Sequence, residues 1–480
     1  MASPIQDVTA LLQAWATTFK LVYADGIYDK AKRFGRTTRM WANTKRQLSG
    51  NKIQYEVKRF HNRGAQATRD LMALQPPHKP GAYDRFNVQF DHTSPAANDF
   101  TMFQAAVTTT YWDMKKRADE AFKGNYDFLQ RDIDELVADV GETVAKFPHL
   151  PTDGLLATIA TGGVRNDDAF IFGDTTSYTS GSSTCAIQVD AVSIAVIGQG
   201  ANIEIRSSGG VLIVNNVLVT RVEPYEKVIH VKITSTSVDS AGNPVTTFNG
   251  IAATNKIYTN GSYNVGVAGS LAAFFNPSAT YYRDENGTAI SRTGHAHKQL
   301  MPRRVSAGTA NTDLTELHLR AVGETLAWTE ADGNAKVTRM TIMARDGYNQ
   351  LVRLQRDERM RMIPALESQV GRELNLAYGF NGYVFHDPTL GTVAAVVDDF
   401  AEYGKIRFLD QSDWEMVQPT SQSSFEFIPS TIAGIWYAMG EADGSGTQSL
   451  RYSARGLTTA AFVCTWPENQ VELVNLNTAA

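Results

Sequence analysis

Residues 51–60, NKIQYEVKRF, and residues 83–92, YDRFNVQFDH, decide how this chain is read. Both read as extended arms. Between them lies a polar, Pro-rich loop, HNRGAQATRDLMALQPPHKPGA, at 61–82. A long helix follows and ends at Pro148, and after it comes a turn, Pro151-Thr152-Asp153-Gly154-Leu155-Leu156-Ala157-Thr158. An excursion of this length cannot bury both its faces against its own chain. It is built to lie on a neighbouring copy, which predicts an assembly protein rather than an enzyme.

The helix that follows carries the strongest periodic signal. Leu129, Ile133, Leu136, Val137, Val140, Val144 and Phe147 advance by threes and fours, with Asn125 as cap and Pro148 as stop. Arg131, Asp132, Asp134, Glu135 and Asp139 fall on the opposite face. About 23 residues at a rise of about 1.5 Å span roughly 34 Å. Burial of the apolar stripe would contribute about 10–20 kcal/mol before entropy is subtracted, an upper bound. Residues 111–123, YWDMKKRADEAFK, are expected to be helical as well, with a bend or break at Gly124.

Towards the N-terminus another helix is well marked. Ser3 caps it, Pro4 suits its first turn and Gln6 completes a capping box. Val8, Leu11, Leu12, Trp15, Phe19 and Val22 follow at helical spacing, and Gly26 is the stop. A basic segment comes next. From Asp29 to Arg63 eleven Lys/Arg face two acids, Asp29 and Glu56, a local +9 in a chain of net charge −5. Lys30, Lys32, Arg33, Arg36, Arg39, Lys45 and Arg46 form the candidate basic arm. Lys52, Tyr55, Lys58, Arg59, Arg63, Arg69 and Arg85 are candidate contacts of the extended excursion. Such asymmetry predicts a distinct partner for the arm, set against a plain solvated or neighbour-contacting face. Phe34, Trp41, Tyr55 and Phe60 lie among these charges, and packing against a neighbouring subunit is expected before stacking on bases.

Composition bounds the rest. The chain has 480 residues, about three domains by length, with 43% hydrophobic and 20% charged residues. Cys185 and Cys464 lie far apart without metal-ligand spacing, so neither a disulfide framework nor a zinc site is expected. No apolar run approaches the roughly 20 residues that span a bilayer. The N-terminus lacks the pattern of a signal peptide, and a cytosolic location is expected.

From about Ser183 to Ser270 charge is sparse, and β-branched runs are punctuated by Gly209-Gly210, Asn215-Asn216, Pro224 and Gly242-Asn243-Pro244. This predicts a compact all-β module, a small barrel or sandwich, inserted between mixed segments. Beyond it, Thr312–Thr329 is expected as a helix with Leu314, Leu317, Val322 and Leu326 on one side. KVTRMTIMA (336–344) then forms a strand, Arg345-Asp346-Gly347 a turn, and YNQLVRLQR a helix. GYVFHD, GTVAAVV and KIRFLD are three further strands, which predicts an α/β layer. The C-terminal runs FEFI, GIWYAMG, SLRYSA, AAFVCTW and QVELVNL read as strands.

That order of segments resembles the major capsid proteins of tailed bacteriophages. The stretch DGLLATIATGG (153–163) is similar to the crossing from the family's spine helix into its axial domain. MTIMARDGYNQLVRLQRDERMR is similar to the axial strand and helix, and GKIRFLDQSDWEMV to the strand leading back to the peripheral domain. The resemblance implies an α+β fold of the Hong Kong 97 phage type. Its parts would be an N-terminal arm (1–50), an extended loop (51–103), a spine helix and peripheral domain (104–150), the start of the axial domain (151–182), an all-β insertion (183–270), the axial domain (271–417) and a return to the peripheral domain (418–480). It implies hexamers and pentamers closing into an icosahedral shell, with scaffold, portal and decoration proteins as partners. Packaged double-stranded DNA would meet the basic arm through phosphate-directed contacts. No membrane partner and no cofactor is implied. The location would be the virion, after assembly in the host bacterial cytoplasm. The chain departs from the prototype in having no long cleavable scaffolding segment at its start. The prototype's Lys–Asn cross-link has no identifiable partner for Lys52 or Lys79.

Two other readings remain open: an encapsulin-like protein compartment, and a carbohydrate-active or surface-binding protein carrying the β-module. Catalytic signatures do not favour an enzyme. His295-Ala296-His297 lacks further metal ligands, Gly198-Gln199-Gly200 is not a dinucleotide loop, and Asp167-Asp168 and Asp398-Asp399 suit turns or caps better than a carboxylate dyad.

Overall fold

In the computed structural model of the chain the described residues are 37, 46–47, 52–58, 83–89, 99–110, 138–165, 182–191, 194–224, 226–263, 267–284, 286–293, 300–309, 311–327, 339–357, 361–364, 383–387, 391–418, 426–427, 436–439 and 451–478. The expected N-terminal helix and the first half of the long helix lie outside them. The chain divides into two compact units, one of Met1–Ser49, Phe100–Ala145 and Met416–Ala461, the other of Gly50–Asp99, Lys146–Glu415 and Phe462–Ala480. Among the described residues no helix is long and apolar enough to cross a membrane, which says nothing of strands.

The first unit is organised by one long strand, Arg451–Cys464. The sequence suggested two strands here, but SLRYSA and AAFVCTW join without a turn, because Gly456 continues the ladder instead of breaking it. Thr101–Thr110 pairs with it antiparallel over its full length, from Thr101 opposite Ala460 to Thr110 opposite Arg451. This strand ends at Thr110, just before the stretch 111–123 that was expected to be helical. Glu426–Phe427 and Trp436–Met439 also pair with the long strand, and Arg46–Gln47 runs parallel to Val417–Gln418. The described helix at 138–146 buries Val140, Val144 and Ala145, three members of the predicted stripe or its neighbours. It tightens into a 3-10 turn, Phe147–His149, at the proline.

The second unit holds a barrel and a mixed sheet. The turn after the helix is closed by the Gly154 amide on the Pro151 carbonyl at 3.0 Å, with Gly154 at a φ of 72°. Leu155–Arg165 then runs on as a strand, not as a plain crossing. It pairs with Thr184–Ala191 and with Lys256–Thr259, and six strands close into a barrel through Val228–Ile233, Leu212–Glu223 and Asn202–Arg206. The ladder of Leu155–Arg165 shifts between Ile159 and Val164. Gly163 sits in that bulge, where a Cβ would come within 2.6 Å of the Gln188 carbonyl oxygen. Cys185, Ile187, Val189, Ile203, Ile205, Val217, Val219, Ile229, Val231 and Ile257 are buried, as β-branched runs predict.

The seven-stranded sheet has the order Arg303–Ser306, Val471–Val474, Ile406–Asp410, Arg339–Met343, Gly391–Val397, Tyr383–Asp387, Arg361–Pro364. Two neighbouring pairs are parallel: Arg339–Met343 with Gly391–Val397, and Arg303–Ser306 with Val471–Val474. The C-terminal strand Val471–Val474 lies in this sheet, and its four side chains are all buried. The helices Glu316–Ala327 and Arg345–Asp357 supply Leu319, Val322, Leu326, Leu351 and Leu354 to the same core.

Two expectations change. Leu317 is 73% exposed, and Leu319 takes the buried place, because 319, 322 and 326 share a helix face from which 317 points away. Arg345-Asp346-Gly347 is the first turn of a helix, not a separate turn. Asp346 Oδ2 accepts the Gly404 amide at 2.7 Å there, and a Cβ at Gly347 would lie 3.3 Å from Ile406.

Candidate assembly surface

Lys52–Lys58 and Tyr83–Gln89 form a two-stranded antiparallel ribbon, with Tyr55 opposite Phe86 and Glu56 opposite Arg85. Period-two alternation divides it, except at Asn87, which is buried on the otherwise exposed face. Ile53, Tyr55, Val57, Phe86 and Val88 are buried, while Lys52, Gln54, Glu56 and Arg85 are exposed. One face therefore packs on the chain's own second unit. Phe86 meets Tyr282 with ring centroids 5.4 Å apart.

Tyr281 and Tyr282 are held firmly beneath. Their hydroxyls donate to the Phe462 and Cys464 carbonyls at 2.5 and 2.8 Å. Burial pushes both phenols well above their ordinary range, so they remain neutral donors. Arg292, also buried, donates to the carbonyls of Phe274, Ala273, Asn276 and Ala279, closing off the C-terminal end of the short helix Leu271–Phe275.

The root of the ribbon is bonded on two sides. Asn87 exchanges backbone hydrogen bonds with Arg283, its amide donating at 2.9 Å and its carbonyl accepting at 3.3 Å. Asn87 Nδ2 donates to the Asp284 carbonyl at 2.9 Å. Arg283 begins a tight hairpin that returns at Ala289, and Gly287, at a φ of 85°, forms its tip. A Cβ there would come 3.0 Å from Gln89 Oε1. On the other side, the Asp99 amide donates to the Gln89 carbonyl at 2.9 Å.

The opposite edge of Lys52–Lys58 has no strand beside it among the described residues. Its exposed charges, Lys52 and Glu56, are the side chains that keep an edge from indiscriminate pairing.

The predicted residues distribute as follows. Lys52 and Arg85 lie on the exposed face, and Arg85 Nε is 3.5 Å from Glu56 Oε1 with both side chains in solvent. Such an exposed pair adds little to stability. Lys58 lies in the ribbon opposite Tyr83, and Arg46 lies in the strand beside Val417. Tyr55 is 3% exposed and lies on the buried face, in the chain's own core. Lys30, Lys32, Arg33, Arg36, Arg39, Lys45, Arg59, Arg63 and Arg69 lie outside the described residues, as do His295, His297 and Asp167-Asp168. Asp398 and Asp399 point apart, Asp398 buried 3.4 Å from His149 Nε2 and Asp399 exposed 2.9 Å from Arg345 Nε. Among the described residues no group of three or more His, Cys, Asp or Glu is placed to hold a metal ion. Sequence reasoning missed Asn87, Asp99, Tyr281, Tyr282 and Arg283. Asp99 and Arg283 are 184 positions apart, and no local pattern joins them.

No protein-family model and no curated protein matches the chain. Among solved structures it is similar to the Cyanophage A-1(L) capsid asymmetric unit, with 9% identity and a TM-score of 0.42 over 92% of this chain and 93% of that one. It is similar to a structure from Mycobacterium phage Patience, with 8% identity and a TM-score of 0.35 over 98% and 90% of the two chains. It is also similar to the holo-SrpI encapsulin complex from Synechococcus elongatus PCC 7942, with 10% identity and a TM-score of 0.24 over 37% of this chain and 54% of that one. With TM-scores below 0.5, these likenesses carry no weight beside the ribbon's own geometry.

Proposed function

We propose that this chain is a structural shell subunit, the major capsid protein of a tailed double-stranded DNA phage, assembling as hexamers and pentamers into an icosahedral container. The observation that carries the reading is the ribbon. One of its faces is buried along its described length, the other carries the exposed Lys52, Gln54, Glu56 and Arg85, and one strand edge has no neighbour among the described residues. Edge pairing and face contact on a neighbouring copy would complete it. Repeated heterologous contacts of that kind close into rings when the rotation is right.

On this reading the first unit belongs to the peripheral domain, the mixed sheet to the axial domain, and the barrel is an insertion into it. The basic arm lies in the lumen, on phosphate or on an acidic scaffold, and portal and decoration proteins complete the particle. Assembly takes place in the host bacterial cytoplasm.

The test is electron microscopy of the full chain expressed with and without its neighbouring phage proteins. Closed shells are expected, and a chain that stays monomeric at high concentration in both settings refutes the proposal. Particles that hold protein cargo and no nucleic acid would move the assignment to an encapsulin-like compartment. Replacing Arg33, Arg36 and Arg39 with Glu should reduce DNA-filled particles while leaving the subunit folded. An unchanged yield of filled particles removes the lumenal role from the arm.

A further inference from the structure

At the root of the ribbon sits an ion pair that burial makes costly. Asp99 and Arg283 side chains are each 7% exposed. Arg283 Nε lies 2.8 Å from both oxygens of Asp99. Arg283 Nη1 donates to the Gly287 carbonyl at 3.2 Å, so the guanidinium also braces the hairpin it begins. Asp99 Oδ2 accepts the Gln89 amide at 2.9 Å.

These bonds form a circuit. The backbone of Arg283 holds Asn87 in the middle of one ribbon strand. Its side chain holds Asp99, and Asp99 holds Gln89, the last residue of that same strand. Two fixed points two residues apart on a strand determine both its position and its direction. The buried apolar face cannot do this alone, because hydrophobic contact is non-directional and an apolar patch can pivot on the surface below.

The energetics point the same way. Burial raises the Asp99 carboxyl above its ordinary range, although the Gln89 amide and Arg283 act to lower it. The charged form is therefore worse off here than in water, and the pair does not recover its full desolvation. Buried ion pairs of this kind are often matched or bettered in stability by apolar residues of similar size. What they supply is a fixed direction.

We propose that Asp99 and Arg283 are positioning residues that fix the direction in which the ribbon leaves its own subunit, and so determine whether a ring of copies closes. The inference rests on the shell reading and deepens it.

The experiment compares the full chain with Asp99→Leu/Arg283→Met, which removes both charges, and with Arg283→Lys, which keeps the charge and loses the fork. Three readouts are taken: thermal midpoint, amide hydrogen exchange, and particle diameter by electron microscopy. The double variant should melt within a few degrees of the parent. Exchange in residues 52–58 and 83–89 should quicken about tenfold, with the barrel unchanged. Particles should become open or mixed in diameter, and Arg283→Lys should behave alike. Uniform closed particles at parental yield with unchanged ribbon exchange would overturn the proposal. So would a double variant that fails to fold, because the pair would then be a stability element. If the parent chain itself builds no shell, the shell reading fails, and ribbon exchange still decides the clamp.

Discussion

The ribbon and the barrel are built from the same material, alternating β-branched and aromatic residues on antiparallel strands, and they end in opposite conditions. The barrel closes: each of its six strands has a neighbour on both sides, so no edge remains. A deeply buried acid in it, Glu204, is answered locally by Arg206 at 2.9 Å and by the Gly261 amide at 3.1 Å. Among the described residues the ribbon has two strands, one covered face and an edge with no strand beside it. A two-stranded ribbon is marginal alone in water. Its covered face packs on the rest of the second unit, with Phe86 against Tyr282. Closure leaves the barrel without an edge, whereas the ribbon keeps one among the described residues.

The largest expected effect breaks the closed half of that contrast. Ile205→Asp puts a carboxylate among the buried barrel side chains with no partner nearby, and should cost about 4 kcal/mol or more. Chemical denaturation of the barrel checks it, and a loss below about 1 kcal/mol would mean the barrel interior admits water.

Next comes the covered side of the ribbon. Tyr55→Ala empties a buried site beneath the hairpin and should cost about 3 kcal/mol, seen as faster exchange in 52–58 and 83–89 before the barrel moves. If Tyr55 faced a neighbour instead, the isolated subunit would lose nothing.

A smaller effect separates two buried acids by pH. Asp99 sits above its ordinary value of 3.8, so its charged form costs stability. That cost is relieved as pH falls through the raised value towards 3.8. Glu402 is different. Burial acts to raise it, but Arg407 and Lys405 outweigh burial and hold it below its ordinary value of 4.5. Arg407 contacts Glu402 and Glu472 together, and Lys405 lies 3.1 Å from Glu402. Its stabilisation is present above 4.5 and lost as pH falls through the lowered value. Parent minus Asp99→Asn midpoints should therefore rise on acidification, while parent minus Glu402→Gln midpoints should shrink. Parallel trends would show that the two sites do not differ as described.

The smallest effect on stability should come from the outer face. Lys52→Glu and Arg85→Glu should each change the subunit's stability by no more than about 0.5 kcal/mol. Both should lower the yield of assembled particles, read by sedimentation. An unchanged yield would take this face out of the assembly surface.

Much of this was legible in the chain. The two arms, the β-rich stretch, the helices after Glu316 and Arg345 and the strands of the mixed sheet follow from periodicity over a few residues, because a strand or helix must bury one stripe of its own side chains. Where the reading slipped, a neighbour in space had overruled a local cue. Leu317 fitted a spacing of threes and fours, but the sheet below selected the face of Leu319. Gly347 suggested a turn, but the close approach of Ile406 explains a glycine inside a helix. SLRYSA and AAFVCTW read as separate strands, yet ten consecutive residues of Thr101–Thr110 pair with one continuous strand there.

By itself, then, the sequence determined the extended arms, the β-rich runs and the helices after Glu316 and Arg345, since these depend on residues a few positions apart. The tertiary structure alone decided that Leu155–Arg165 belongs to the barrel, that Val471–Val474 returns to the mixed sheet, and that Asp99 meets Arg283 at the ribbon's root. Those pairings join residues far apart in the chain. Their free energy appears only once hydrogen-bond edges and buried charges have found partners in space, and no local pattern records which partner that is.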